Sequence, residues 1–544
     1  MLIKADLRLP QHAISKSSGT MVIQSFEKWL RRALGFVSID FIFLFLYTAH
    51  GRMRYPFSLD QIEGGLLTSL WRIAHGFPLY TKPTLDFVPY LYPPVYLYLA
   101  AALSNVTGIG YATLRLLSVL SSLGSMCVIY AIILYETKRH LPSLSGAGLF
   151  AACYLPVGAW LDIGRVDSLF VFLLLLAVYC TCRAPIVLAA LIWVIAFQTK
   201  QTILPVAVLI LCANWQQPKR LILGLTTLFV GVTGSVMMLN YATGGWYDFY
   251  VFGTPRGLGW SWRQAVFYIP TDLLLPFGFT FLLILAALVF APPALRSKKS
   301  QFYMILSFAI YASIWFVRSH DGSSTNALMP AYAWTAVLFG ICLHRLCLWL
   351  NSTAFPQADV CVVIVLAVAI VQFLILLYHP GRFVPSTQTQ AARWSFEKEL
   401  NSLPGDVYVL NHSYDAILAG KQPHAVVDAF GIIINMPPSL TRTAFIEEMK
   451  KAIDSHRYSA FVLDDDAAAY EPGVSWMPSD FVEQYPVQIR ANGIDTPDVT
   501  GTQPKEKWIY LTCSDLDHDL NSIITSSTLI SYGDCPNARV FRNR

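Results

Sequence analysis

The feature that most constrains this chain is its repeated long apolar runs. They lie near residues 34–50, 116–136, 146–161, 168–182, 186–199, 203–214, 221–241, 271–291, 302–317, 327–347 and 359–378. A bilayer core takes roughly 17–25 apolar residues as a helix, fewer where helices are broken or packed inside protein. In lipid every backbone N–H and C=O needs a partner within the protein, which leaves helices or closed barrels. Runs of this kind predict about eleven transmembrane helices, so the expected fold class is a polytopic α-helical membrane protein. The charged fraction agrees. Only 13% of the 544 residues are Asp, Glu, Lys or Arg, against about 25% in soluble domains.

Lysine and arginine set the orientation. With the N-terminus in the cytoplasm, Lys28, Arg31, Arg32, Lys138, Arg139, Arg183, Lys219, Arg220, Lys298, Lys299 and Arg345 fall at cytoplasmic ends. The other face keeps scattered cations, among them Arg52, Arg165, Lys200 and Arg318. Four polar loops then share the non-cytoplasmic face: 51–112, 162–167, 246–262 and 318–326. Residues 1–33 read as a cytoplasmic tail without a removable signal, and 34–379 as the transmembrane domain. After about residue 380 charged and small polar residues become frequent. DVYVLNHS and SAFVLDDD read as strands, and TAFIEEMKKAIDSHR as an amphipathic helix. Residues 380–544 are therefore expected to form a C-terminal soluble α/β domain on the non-cytoplasmic side. Cys513 and Cys535 could pair there if the compartment is oxidising. The net charge of +5 is spread over loops, which argues against nucleic acid as a partner. The bilayer is the expected surroundings.

The first outside loop holds the chemistry-bearing residues. Over Tyr55–Tyr96 it reads YPFSLDQIEGGLLTSLWRIAHGFPLYTKPTLDFVPYLYPPVY. Ser58 as N-cap and Gln61 at the capping-box position predict a helix over 58–76, ended by Gly76 and Pro78. Leu59, Ile62, Leu66, Leu70 and Ile73 make one apolar stripe, which predicts a helix lying along the membrane interface. Asp60 and Glu63 share its N-terminal face, where the helix dipole favours ionised carboxylates. A carboxylate there either acts as a general base or only stabilises the helix start. Asp86 lies in the Pro-rich return and either binds substrate or supports the loop. Lys200 sits between two apolar runs. A charge at membrane depth costs about 2.5–3.5 kcal/mol on insertion scales, so it marks a functional site, unless it snorkels. Arg318, with His320 nearby, ends an apolar run on the same face. Arg165 lies between Asp162 and Asp167, so internal ion pairing competes with ligand contact. Trp260, near Trp246, Tyr247 and Trp262, either stacks on a sugar or joins an aromatic belt.

Taken in order, these motifs form a pattern. D-x-x-E-G-G starts at Asp60, A-H-G-F-P-L-Y at Ala74, Y-P-P-V-Y at Tyr92 and L-R-L-L-S at Leu114. D-I-G-R-V-D-S follows from Asp162, F-Q-T-K-Q-T from Phe197 and G-S-S-T-N-A-L-M-P from Gly322. The pattern resembles the GT-C class of polyprenyl-phosphate-sugar glycosyltransferases, in the protein O-mannosyltransferase and aminoarabinose transferase group. The resemblance covers about residues 30–350. It implies a GT-C fold, and an inverting enzyme that moves a monosaccharide from a polyprenyl-phosphate carrier to a hydroxyl of a lipid, glycan or protein. It implies Asp60 as the catalytic base. It leaves Glu63 to share that role, to position the acceptor, or to hold a divalent metal together with Asp60. Lys200, Arg318 and Arg165 become the expected contacts to the donor phosphate. Asp86, Tyr92, Asp167, His320 and Trp260 become expected substrate contacts. The aminoarabinose branch has Lys before its Pro-Pro, where Tyr92 stands here, so that branch's phosphate contact does not transfer. The implied location is a bacterial inner membrane, with the site on the periplasmic or extracellular side.

No P-loop, no G-x-G-x-x-G after a strand, no H-E-x-x-H and no G-x-S-x-G is present in the sequence, which agrees with a lipid-linked donor rather than a nucleotide sugar. The alternative reading is a transporter or flippase of lipid-linked sugars, using the same basic and aromatic cavity without chemistry.

Overall fold

The computed structural model describes residues 18–291, 297–352, 357–464, 477, 478, 480–491, 507–513 and 527–532. The first helix is α1 (Ser18–Met53). Two helices fill the loop after it, α2 (Gln61–Ala74) and α3 (Val95–Thr107). Next come α4 (Tyr111–Thr137), α5 (His140–Ala152), α6 (Val166–Arg183), α7 (Ile186–Phe197), α8 (Leu204–Cys212) and α9 (Pro218–Ala242). A single turn α10 (Trp246–Asp248), the short α11 (Trp262–Phe267) and irregular helical turns lead into α12 (Leu275–Phe290). The bundle closes with α13 (Lys298–Arg318), α14 (Met329–Ser352) and α15 (Ala358–Ile375).

Eight of these segments are long and apolar enough to cross a membrane. The other three expected spans are held by the shorter helices α5, α7 and α8, packed against longer neighbours. The protein is an integral membrane protein, with eleven helices in its bundle among the described residues. One span is displaced from its expected position. The apolar run at 146–161 is helical only to Ala152, and the helix starts earlier, at His140. Beyond Cys153 the chain runs as turns although it stays apolar, with Gly158 and Ala159 in left-handed backbone angles (φ 70° and 59°).

Small residues let helices cross closely, as is common in membranes. A Cβ on Gly148 of α5 would stand 2.6 Å from the Ser38 carbonyl oxygen of α1. A Cβ on Gly340 of α14 would stand 2.7 Å from the Pro142 carbonyl oxygen of α5.

Beyond the bundle lie α16 (Thr387–Ser402), α17 (Ser413–Leu418), α18 (Val427–Ile434) and α19 (Leu440–Asp454) around a five-stranded sheet. The strands are β1 (Val407–Val409), β2 (Ala460–Leu463), β3 (Val487–Ala491), β4 (Lys507–Leu511) and β5 (Ser527–Tyr532), in the order β1-β2-β4-β3-β5. Among the described strands only the β1–β2 pair is parallel. The period of two divides the sheet's faces. Val407, Val409 and Val462 build a separate core with Phe396 and Leu400 of α16, while Tyr408 and Phe461 join the main core. Cys513 is disulfide-bonded; Cys535 lies outside the described residues.

The first loop differs from expectation in two ways. Its helix begins at Gln61, and its N-cap is Asp60, two residues after Ser58. Asp60 accepts from the Ile62 amide at 3.1 Å, whereas the Ser58 hydroxyl pairs with His412. Nor does α2 lie on the lipid interface. Residues Glu63–Leu70 are all buried, because α17 covers the helix, with Thr68 and Ser413 hydroxyls 2.7 Å apart. The apolar stripe is met by protein instead of lipid.

The same loop is tied to the C-terminal part at Asp86. The Ala425 amide donates to the Leu85 carbonyl at 2.8 Å. Asp86 pairs with Arg457 at 2.8 Å and with His424 at 3.4 Å, and His424 also meets Asp406 at 2.8 Å. Burial alone would lower the His424 pKa, but the two carboxylates outweigh it and raise it above 6.5. The His424 hydrogen bond, followed by the Arg457 charge, holds Asp86 below 3.8 against its own partial burial. A raised histidine stabilises the docked state below its free pKa and loses that contribution as pH rises. A lowered carboxylate stabilises above its free pKa and loses that as pH falls. Docking is therefore expected to be tightest between about pH 4 and 6.5. Hydrogen exchange at Leu85 to Val88 should quicken towards pH 8, and His424→Gln should flatten that rise. An unchanged rise in the variant would disconnect His424 from docking.

Candidate active site

Asp60 stands where three parts of the chain meet. As N-cap it lies at the positive end of α2. From the loop between α5 and α6, Arg165 donates to the same Asp60 oxygen at 3.1 Å. Arg165 is the residue just before α6; it also donates to the Tyr92 hydroxyl at 3.0 Å and lies over the Trp160 ring at 4.2 Å. Asp167, in the first turn of α6, sits 3.6 Å from Arg165 and takes a 2.7 Å bond from Lys200. Asp60, Tyr92, Arg165, Asp167 and Lys200 are thus joined in one chain of contacts, and Asn326 adds a hydrogen bond to Asp167. Lys200 keeps 13% of its side chain exposed.

Glu63 is elsewhere in role, although it is one turn along the same helix. It is fully buried. Arg115 grips both its oxygens, at 2.8 and 2.7 Å. The Gly164 and Leu59 amides donate to it at 2.9 Å each. A carboxylate has about four lone-pair directions, and all four are used. Arg115 in turn donates to the carbonyls of Arg52, Tyr55 and Phe57. Burial works against the charge on Glu63, but Arg115 and the two amides overcome it and hold its pKa below 4.5. Glu63 therefore cannot take a proton from an acceptor or reach a metal without breaking this set. It locks the first loop to α4 and the α5–α6 loop. Among the described residues no group of three or more His, Cys, Asp or Glu side chains has a metal-binding arrangement. Asp60 and Glu63, which the resemblance offered as a possible metal pair, bind different arginines.

Other expected site residues are placed apart. Asp162 pairs with Arg52 at 2.8 Å, both about 1% exposed, and with Tyr154; it does not meet Arg165. Arg318 pairs with Asp272 at 2.9 Å and donates to the Ser323 carbonyl at 2.8 Å. His320 bonds the Phe316 carbonyl and packs against Trp260, whose ring centroid is 5.3 Å away. None of these bonds reaches Asp60, Arg165, Asp167 or Lys200, so Arg318, His320 and Trp260 form a second cluster. Asp86 belongs to the docking contact described above.

The C-terminal part supplies residues that sequence reasoning missed. Ser58, two positions before Asp60, bonds His412 at 3.1 Å; His412 bonds Asp464 at 2.9 Å; Asp464 pairs with Lys507. All four are at most 5% exposed. Burial opposes the charge on Asp464, yet His412 and Lys507 hold its pKa well below the usual range. Asp428, in the first turn of α18, has an Oδ2 with no bonding partner among the described residues. Burial pushes its pKa up to about 6, with the Asp60 charge adding to the effect. A signal for this was present. His412 and Asp464 follow the parallel strands β1 and β2, and the carboxyl ends of parallel strands are where such sheets place functional groups.

No protein-family model matches the sequence, and no curated protein matches it. Solved structures do. ArnT from Cupriavidus metallidurans in the apo state has a TM-score of 0.56 at 13% identity, over 89% of this chain and 99% of that one. The same protein bound to undecaprenyl phosphate gives 0.57 at 13% identity, over 87% and 97%. The oligosaccharyltransferase AglB from Archaeoglobus fulgidus gives 0.49 at 12%, over 93% and 76%. The likeness to ArnT extends over nearly its whole length: the chain has the GT-C fold of membrane glycosyltransferases.

Proposed function

We propose that this chain is an inverting glycosyltransferase. It moves one sugar from a polyprenyl-phosphate carrier to a hydroxyl acceptor on the non-cytoplasmic face. The observation that carries this reading is the bonded chain from Asp60 through Arg165 and Asp167 to Lys200. It puts a carboxylate at the end of a fixed helix beside two cations, within a bundle whose fold is that of ArnT. That ArnT was also solved with undecaprenyl phosphate, which supports a polyprenyl-phosphate carrier here.

In the proposed reaction Asp60 takes the proton of the acceptor hydroxyl. The freed oxygen attacks the anomeric carbon from the face opposite the phosphate. The carbon–oxygen bond to phosphate breaks, and its electron pair leaves with the phosphate. Arg165 and Lys200 meet that growing charge, where fixed cations in a poorly hydrated site act strongly. Asp167 holds both cations in place before the donor arrives. Tyr92 steadies Arg165. Arg318, bonded to Asp272, is assigned to the second cluster and not to the phosphate. The residues expected for a metal do not converge, so no step is routed through one.

The test is incubation of purified protein with a panel of radiolabelled polyprenyl-phosphate sugars. Transfer or donor hydrolysis from one of them is expected. Its absence from all of them would favour transport instead. Lys200→Met should lower kcat by about 10²- to 10³-fold. If only KM rose, the lysine would bind the ground state and the transition state equally.

A further inference from the structure

The membrane face opposite Asp60 carries a cavity that the proposed reaction does not use. It measures about 520 Å³ and opens between the start of α1, the α4–α5 turn and the end of α14. Its distance from the Asp60 side can be judged along α4. Arg115, near one end of that helix, bonds Glu63, and Lys138 caps the other end. At 1.5 Å per residue the two are roughly 35 Å apart, the width of a membrane.

Arg31, Lys138 and Arg139 line this cavity. Glu27 offsets Arg31 at 2.8 Å, and no ion pair is formed by Lys138 or Arg139 among the described residues. Lys138 lies over the Tyr135 ring at 4.5 Å, a contact that leaves its charge in place. The backbone there is held: Lys138 is left-handed (φ 55°) and its amide donates to the Leu134 carbonyl at 2.8 Å. Leu343, Leu348 and Leu366 also line the cavity. Leu348 is 60% exposed on the bundle's outer surface. Charge beside hydrocarbon suits a phospholipid, and basic pockets between helices at a membrane face hold anionic headgroups.

We propose that this crevice binds the phosphate of an anionic membrane lipid in the leaflet opposite the reaction face. The phosphate rests on Lys138 and Arg139, and an acyl chain runs along Leu348. The site is independent of the glycosyl-transfer reading and stands or falls without it.

Native mass spectrometry of the full chain tests this. Delipidated protein is titrated with phosphatidylglycerol, phosphatidylcholine or inorganic phosphate. The wild type is expected to retain phosphatidylglycerol about ten-fold better than phosphatidylcholine. Lys138→Gln with Arg139→Gln should remove that preference. Both side chains are exposed, so the bundle core is untouched. Lys219→Gln takes a charge from the same face outside the crevice and should keep the preference. Equal retention of the two lipids by the wild type, or an unchanged preference in the double variant, overturns the proposal. Binding of inorganic phosphate with no lipid preference assigns the crevice to a soluble anion and overturns it as well.

Discussion

Asp60→Asn is expected to lower kcat by about 10²- to 10⁴-fold, the usual contribution of a positioned general base. It should do so without loosening the fold. Asn caps helices as well as Asp does, so the bond to the Ile62 amide survives the change. The Arg165 contact at 3.1 Å also keeps an oxygen partner. KM for the donor should stay close to that of the wild type, because the phosphate cations remain. The measurement is single-turnover transfer by purified protein, beside its melting temperature. Full activity in this variant would remove Asp60 as the base. Lost activity with a collapsed melting temperature would instead make it a structural cap.

The second large effect is on stability. Arg115→Met should destabilise the protein by about 3–5 kcal/mol, because it strands a buried carboxylate without its counter-charge. Glu63 is fully buried and Arg115 is 1% exposed, so water cannot replace the lost partner. Three loop carbonyls lose a donor at the same time. Adding Glu63→Gln to Arg115→Met should recover part of the loss, since neutral Gln can still accept from the Leu59 and Gly164 amides. Thermal unfolding in detergent measures both variants. If Arg115→Met melted as the wild type does, the clamp between the first loop and α4 would contribute nothing.

Much of the fold was legible because lipid reads hydropathy locally. Each apolar run could be judged by itself, and eleven helices stand at or near those positions. The displaced run at 146–161 shows the limit. Its hydropathy is continuous, but the chain leaves the helix at Cys153 and runs on as turns, with positive φ at Gly158 and Ala159. The loop helix was legible in its type and its end. Its start was not, since Ser58 and Asp60 are both good N-caps and only the presence of His412 takes Ser58 away.

Within the site, spacing identified carboxylates and cations but not their pairing. Asp60 and Glu63, three apart at one helix start, both stood as site candidates, with Asp60 the expected base. One binds Arg165 in a partly open cluster, and the other is enclosed by Arg115. Arg165 looked able to pair with Asp162, yet Arg52 takes that residue. Ion pairing depends on distance in space, and the partners lie far apart in the chain.

The sequence alone therefore determined a helical membrane protein, its polar first loop, a following α/β part and the residue types available for chemistry. Hydropathy, capping and strand alternation act over a few neighbouring residues, so they survive without a structure. The tertiary structure decided which carboxylate meets which cation, and that the C-terminal part reaches the Asp60 helix. Those contacts join residues 105 positions apart at Asp60 and Arg165, 52 apart at Glu63 and Arg115, and 354 apart at Ser58 and His412. Only the assembled bundle brings them within bonding distance.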